Sequence, residues 1–176
     1  MMTMVCYQYL YDGDWLGHPY YTPEVLVSIL KSDGSGQVNF IMEVDSGAAI
    51  SLLPSGAATM LGLDLTSGTR VDLGGVGGAV FSCYVHTCDV VIGEKSLRIP
   101  IAFGTTPDFP PLLGRLGLYD QTDIFMDNMT EKATCIGQVG DVLSAPNAFT
   151  WPWDVNAWLY PILLVGGLFA VVMLVK

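Results

Sequence analysis

The stretch Phe40-Ile41-Met42-Glu43-Val44-Asp45-Ser46-Gly47-Ala48 is an apolar run that stops at an acid, a hydroxyl and a glycine. It constrains the fold more than any other part of the chain. A lone carboxylate at the end of a buried strand costs on the order of several kcal/mol unless it is paired, hydrogen-bonded or protonated, so a chain that keeps one there has a use for it. Asp45 is the candidate catalytic residue. Ser46 brings a hydroxyl that can donate and accept, and Gly47 removes the Cβ so that a backbone or a substrate can approach. The competing reading is an ordinary Asp-Ser-Gly turn that closes a strand.

The neighbouring sequence separates the two. Ala48-Ala49-Ile50-Ser51-Leu52-Leu53-Pro54 continues as a short strand and a proline, and Pro54 through Leu61 reads as a short helix stopped by Gly62, closing on Leu61-Gly62-Leu63. Further on, Leu112-Leu113-Gly114-Arg115 gives a two-apolar-Gly-Arg block, and between the two blocks lies Gly74-Gly75-Val76-Gly77-Gly78. Having these elements in this order, the chain resembles the retropepsin-like aspartic proteases over about residues 22 to 139.

The resemblance implies an all-β acid-protease fold, one pepsin-like lobe per chain, with short helices and a hairpin flap tipped by Gly74, Gly75, Val76, Gly77 and Gly78. It makes Asp45 catalytic, gives Ser46, Gly47 and Ala48 the support of the catalytic loop, and sets Leu112, Leu113, Gly114 and Arg115 on the strand beside that loop. Two positions depart from the family pattern. Retroviral relatives have an acid where this chain has Ala49, which leaves Arg115 needing another partner, and many cellular relatives have an acid at the position of Leu116. Arg115 is therefore expected to be structural rather than catalytic.

Aspartic proteolysis needs two carboxylates sharing a proton, one activating water and the other protonating the scissile carbonyl. The chain has a single Asp-Ser/Thr-Gly and no length for a second lobe, so the second carboxylate is expected to be Asp45 of another copy on a two-fold axis. Ser46 would then hydrogen-bond across that axis, as the resemblance implies. The expected activity is that of an endopeptidase acting on a peptide or protein substrate. The rival from another class is a catalytically silent dimerisation or peptide-binding module on the same fold.

Half of the 176 residues are apolar, enough for one domain with a core and something more. A formal charge of −10, with seven scattered basic residues, argues against nucleic acid as a partner. Cys6, Cys83, Cys88 and Cys135 form no Cys-x-x-Cys, and His18 and His86 stand apart, so neither a metal nor another cofactor is expected. Free buried thiols are the expectation for all four cysteines.

Residues 1–21 form an aromatic-rich extension that reads as irregular and lacks the pattern of a secretory signal. Glu24–Leu30 and Val38–Val44 read as a hairpin around the turn cluster Lys31 to Gly36, delivering Asp45. Arg70–Leu73 and Ala79–His86 make a second hairpin, followed by strands near Asp89–Ile92, Leu97–Phe103, Leu112–Gly114, Ile124–Asp127 and Ala133–Val139, with a short helix at Leu116–Tyr119.

From Gly140 the composition shifts to a linker, 140–157, and then Trp158 to Val175 runs for eighteen residues without a charge before Lys176. At about 1.5 Å per residue this covers roughly 27 Å, the thickness of a bilayer's hydrocarbon. Trp151, Trp153, Trp158 and Tyr160 lie at one end, as an interfacial belt would. A single-pass membrane anchor over 158–175 is expected, with lipid as a partner. With a span this close to the C-terminus and no export signal in front, the domain is expected in the cytoplasm, although Lys176 as the one basic flank favours the opposite orientation.

Overall fold

The computed structural model describes residues 5–75, 78–129 and 132–137. Twelve strands and one short helix are seen there: β1 Val5–Gln8, β2 Leu10–Trp15, β3 His18–Thr22, β4 Glu24–Leu30, β5 Gln37–Val44, β6 Ser51–Leu53, α1 Ser55–Met60, β7 Thr69–Gly74, β8 Val80–Ile92, β9 Lys95–Gly104, β10 Leu112–Leu113, β11 Asp123–Asp127 and β12 Ala133–Gly137. A single 3₁₀ turn spans Leu65–Ser67. The protein is mostly β with little helix, as the strand-like runs predict.

Alternation builds the core. On β4, Val25, Val27 and Ile29 are buried, while Leu26, Ser28 and Leu30 face outward. On β5 the same period buries Met42 and Val44 and turns Ile41 and Glu43 outward. Burying each of these apolar side chains is worth roughly 1.5–3 kcal/mol, and a one-residue slip would reverse the pattern, so the register of Val25 against Met42 is firmly set. Ile99, Ile101, Phe103, Leu113, Leu118 and Ile136 complete the interior.

The main sheet runs in the order β4-β5-β10-β6-β9-β8-β7, and β4 also pairs with β8 through Ser28↔Val91 and Ile29↔Val90. That extra pairing closes six strands into a ring, with β7 attached outside it. A smaller sheet, β1-β12-β11, joins the two ends of the domain, and β2 with β3 forms a separate hairpin. Pro54 leads into α1, whose Ala57 and Ala58 face the core. Gly62, at φ +70°, ends the helix as its sequence position predicts.

Several expectations need correction. The N-terminal segment is not irregular: β1, β2 and β3 occupy most of it. Ala79–His86 and Asp89–Ile92 are not separate strands, because β8 runs unbroken from Val80 to Ile92 and pairs with β9 from Cys83 onward. No helix forms at Leu116–Tyr119. Leu118 and Tyr119 donate to the Arg115 carbonyl, but Gly117 sits at φ +81° and the chain turns instead. The cysteines are not all free either. Cys6 and Cys135 are directly opposed on the antiparallel strands β1 and β12 and form a disulfide across 129 residues of sequence, leaving Cys83 and Cys88 as buried thiols. The expected flap residues Val76 and Gly77 and the expected linker and apolar span from 140 onward lie outside the described residues. Among the described residues no helix is long and apolar enough to cross a membrane.

Candidate active site

Asp45 follows directly on β5, and its loop runs to the start of β6. Between those two strands lies β10, parallel to β5 through Leu112↔Glu43 and Leu113↔Val44, and antiparallel to β6 through Leu112↔Leu52. The Asp45 loop therefore arches over the end of an inserted strand. It is held there on both sides: Asp45 N–H donates to the Leu113 carbonyl at 3.1 Å, Arg115 N–H to Ala48 O at 3.0 Å, and Leu116 N–H to Ala49 O at 2.9 Å.

Within the loop, Ala48 N–H donates to Asp45 O at 3.2 Å, and Gly47 N–H donates to the Asp45 carboxylate Oδ1 at 2.7 Å. That bond fixes the rotamer of the acid. A Cβ at position 47 would lie 3.1 Å from the same oxygen, so glycine here gives the carboxylate room as well as a donor. Asp45 is half-buried, and Ser46 and Gly47 are exposed. The acid is thus hydrogen-bonded on one oxygen and only partly covered.

Gly114 explains how the strand fits. A Cβ there would meet the backbone carbon and oxygen of Ile50 at 2.4 Å, backbone that cannot yield, and Gly114 N–H donates to Ser51 Oγ at 3.1 Å. Ser51 is fully buried. It is a positioning residue that sequence reasoning missed, since a lone serine on a three-residue strand carries no signal until its neighbour is known.

Two more groups that the sequence did not single out feel the charge of Asp45. Glu43 has its carboxyl raised above the usual range, chiefly by burial and then by the negative charges of Asp45, Glu24 and Asp12. Tyr119 has its hydroxyl raised by burial first and by Asp45 second, against the lowering effect of the Arg115 guanidinium. Arg115 itself is exposed, and its guanidinium makes no hydrogen bond or ion pair with another described residue.

The glycine cluster caps the β7–β8 hairpin. Gly75 N–H donates to Ala79 O at 2.7 Å and Gly78 N–H to Gly75 O at 3.3 Å, with Gly78 at φ +80°. Beneath the tip the Phe81 ring stands edge-on to Phe109, centroids 5.4 Å apart, so the hairpin leans on the loop that feeds β10. The structure therefore brings Asp45–Ala48 and Leu112–Arg115 together. Gly74, Gly75 and Gly78 belong to a separate hairpin, and among the described residues they make no hydrogen bond to that loop. No group of His, Cys, Asp and Glu among the described residues could hold a metal ion.

No protein-family model and no curated protein matches the chain. Among solved structures it is similar to a retropepsin-like aspartic protease from Rickettsia conorii, at 21% identity over 77% of this chain and 99% of that one, with a TM-score of 0.49. It is also similar to the EIAV protease in complex with an inhibitor, at 21% identity over 57% of this chain and 88% of that one, with a TM-score of 0.42. Likeness at this level is one of outline, and the chain's own geometry has to carry the chemistry.

Proposed function

We propose that the chain is half of an aspartic endopeptidase of retropepsin-like fold, completed by a second copy of itself. The observation that carries this is the arch of Asp45 over the inserted strand β10. Backbone bonds with Leu113, Arg115 and Leu116 fix the loop, and the Gly47 N–H bond holds the half-buried carboxylate within it. One carboxylate cannot both activate water and protonate the carbonyl oxygen of a scissile amide. Two held against each other on a two-fold axis share one proton and do both. The Gly47 N–H orients each acid, and the glycine hairpin, with exposed Val80 and Phe81 beside its tip, supplies apolar surface and backbone donors for an extended peptide.

Asp45→Asn tests the reading. The variant is expected to keep its circular dichroism and lose peptide hydrolysis, and an equal co-expressed mixture with wild type to keep about a quarter of the activity if subunits pair at random. A mixture that keeps half would mean that each chain carries a complete site. The silent peptide-binding module remains the alternative, and hydrolysis of unselected peptides that a statine-type mimic blocks excludes it.

The apolar stretch 158–175 supports a single-pass anchor, which raises the encounter rate of two domains confined to one bilayer. For the side of the membrane, the cytoplasmic expectation has the Cys6–Cys135 bridge against it, because disulfides persist in oxidising compartments. Lys176, the one basic flank, favours the same outward orientation. The proposed location of the domain is therefore the oxidising face. Protease protection of a C-terminally tagged chain in sealed vesicles decides it: the tag is expected to be accessible only from the cytoplasmic side.

A further inference from the structure

The β2–β3 hairpin is the part of the molecule that the site does not account for. It forms its own two-stranded sheet and exposes Leu10, Tyr11, Trp15, Leu16 and Tyr20, with Trp15 at 71% and Leu16 at 82%. Its two-residue turn places Leu16 at φ +52° and Gly17 at φ +79°. Such turns favour asparagine or glycine at the first position, so a leucine there presents an apolar side chain at a backbone cost.

On this hairpin Asp12, Asp14, Trp15 and Tyr20 line a shallow cleft of about 390 Å³. Two carboxylates beside two electron-rich rings make a receptor for a cation, above all for a guanidinium, which stacks on aromatics while it donates to acids.

The hairpin springs from beside the site. Thr22 Oγ1 donates to the Leu10 carbonyl at 3.4 Å and to Glu24 Oε1 at 3.2 Å, Glu24 lies opposite Glu43, and Val44 N–H donates to Pro23 O at 2.9 Å. The root of the hairpin is thus bonded to the residue before Asp45. β4, which carries it, and β10, which leads into Arg115, flank β5 on opposite sides.

We propose that the hairpin is an arm that reaches across to a second copy of the chain, and that the partner's Arg115 docks in the Asp12–Asp14–Trp15–Tyr20 cleft. A two-fold axis that pierces the sheet beside Asp45 exchanges the two sides of β5, so the arm of each chain comes to face the Arg115 side of the other. The arrangement gives Arg115 the acid partner that Ala49 does not supply. Because a two-fold interface repeats every contact, the pair occurs twice. It also sets opposite charges against each other where two chains of charge −10 must meet. This inference rests on the dimeric reading of the site.

The test is a charge-reversal cycle on the full chain in detergent, with self-association read by sedimentation across a dilution series. Asp12→Lys and Arg115→Glu, both at exposed positions, are each expected to weaken dimerisation about tenfold or more, and the two reversals together to restore it to within about threefold. Trp15→Ala is expected to weaken it without changing its salt dependence, since it removes stacking and no charge. Circular dichroism confirms that each variant is folded. A wild-type chain that stays monomeric at every concentration sinks the dimeric reading and the arm with it. A wild-type dimer indifferent to all the variants overturns the arm alone, whether the hairpin then rests on lipid or on another protein. Single reversals that weaken association additively, with no rescue in the pair, overturn the docking of Arg115.

Discussion

Glu43, an outward-turned residue of β5 two places before the catalytic candidate, is where the electrostatics of the site can be measured without touching its chemistry. Its carboxyl is raised by burial and then by Asp45, Glu24 and Asp12. A carboxyl raised in the folded state is stabilised in its protonated form. Folding therefore holds its proton more tightly than the unfolded chain does, and stability is lost as pH rises through the folded value. Glu43→Gln is expected to raise the melting temperature at pH 7, with a gain that shrinks as pH falls through the carboxylate range. A gain that grows on acidification would mean that Glu43 is held by a cation instead. Asp45 stood out in the sequence as an acid after an apolar run and Gly47 as the glycine behind it, while Gly114 was singled out only by the resemblance; the reason for a glycine at 114, the Ile50 backbone against which a Cβ would press, is visible only in the fold. Glu43, Ser51 and Tyr119 did not stand out. Their roles exist only once β10 is laid between β5 and β6 and the turn at Gly117 brings Tyr119 back toward the loop.

Among the elements, the β4–β5 hairpin and the helix stop at Gly62 could be read from alternation and from glycine. The first three strands could not, since Gly13 and Pro19 interrupt them and their exposed aromatics hide the period. β8 was split because Thr87 and Asp89 break its apolar run, although Cys88 and Val90 still face the core. The β7–β8 tip gives a prediction at this scale. A side chain at position 74 meets nothing within 4 Å, whereas position 78 holds φ +80°. Gly78→Val is expected to lower kcat/KM for peptides by about tenfold while shifting the melting temperature by only a few degrees, and Gly74→Ala to change neither. Parallel losses of turnover and stability in Gly78→Val would make the tip a structural part.

For the whole molecule, the Cys6–Cys135 bridge ties the first strand to the last and closes a loop of 129 residues, a pairing of chain ends that no local spacing could reveal. Bridges over loops of that order contribute roughly 2–5 kcal/mol. Reduction, or Cys6→Ser with Cys135→Ser, is expected to lower the unfolding free energy by about that amount in denaturant titrations, while Cys83 and Cys88 stay unlabelled by alkylating reagents in the native protein. Burial lifts the Cys88 thiol to about 11, so it is not a nucleophile at neutral pH. The ring has a further consequence through β8. Its first residues, from Val80 to Val85, form one leg of the glycine hairpin, and its later ones, Val90 and Val91, seal the barrel against β4. A single continuous backbone therefore belongs to both the hairpin and the seam. Between those stretches β8 is laddered to β9 from Cys83 to Ile92, so the root of the hairpin is built into the barrel wall, and only Val80, Phe81 and Ser82 are laddered to β7 alone.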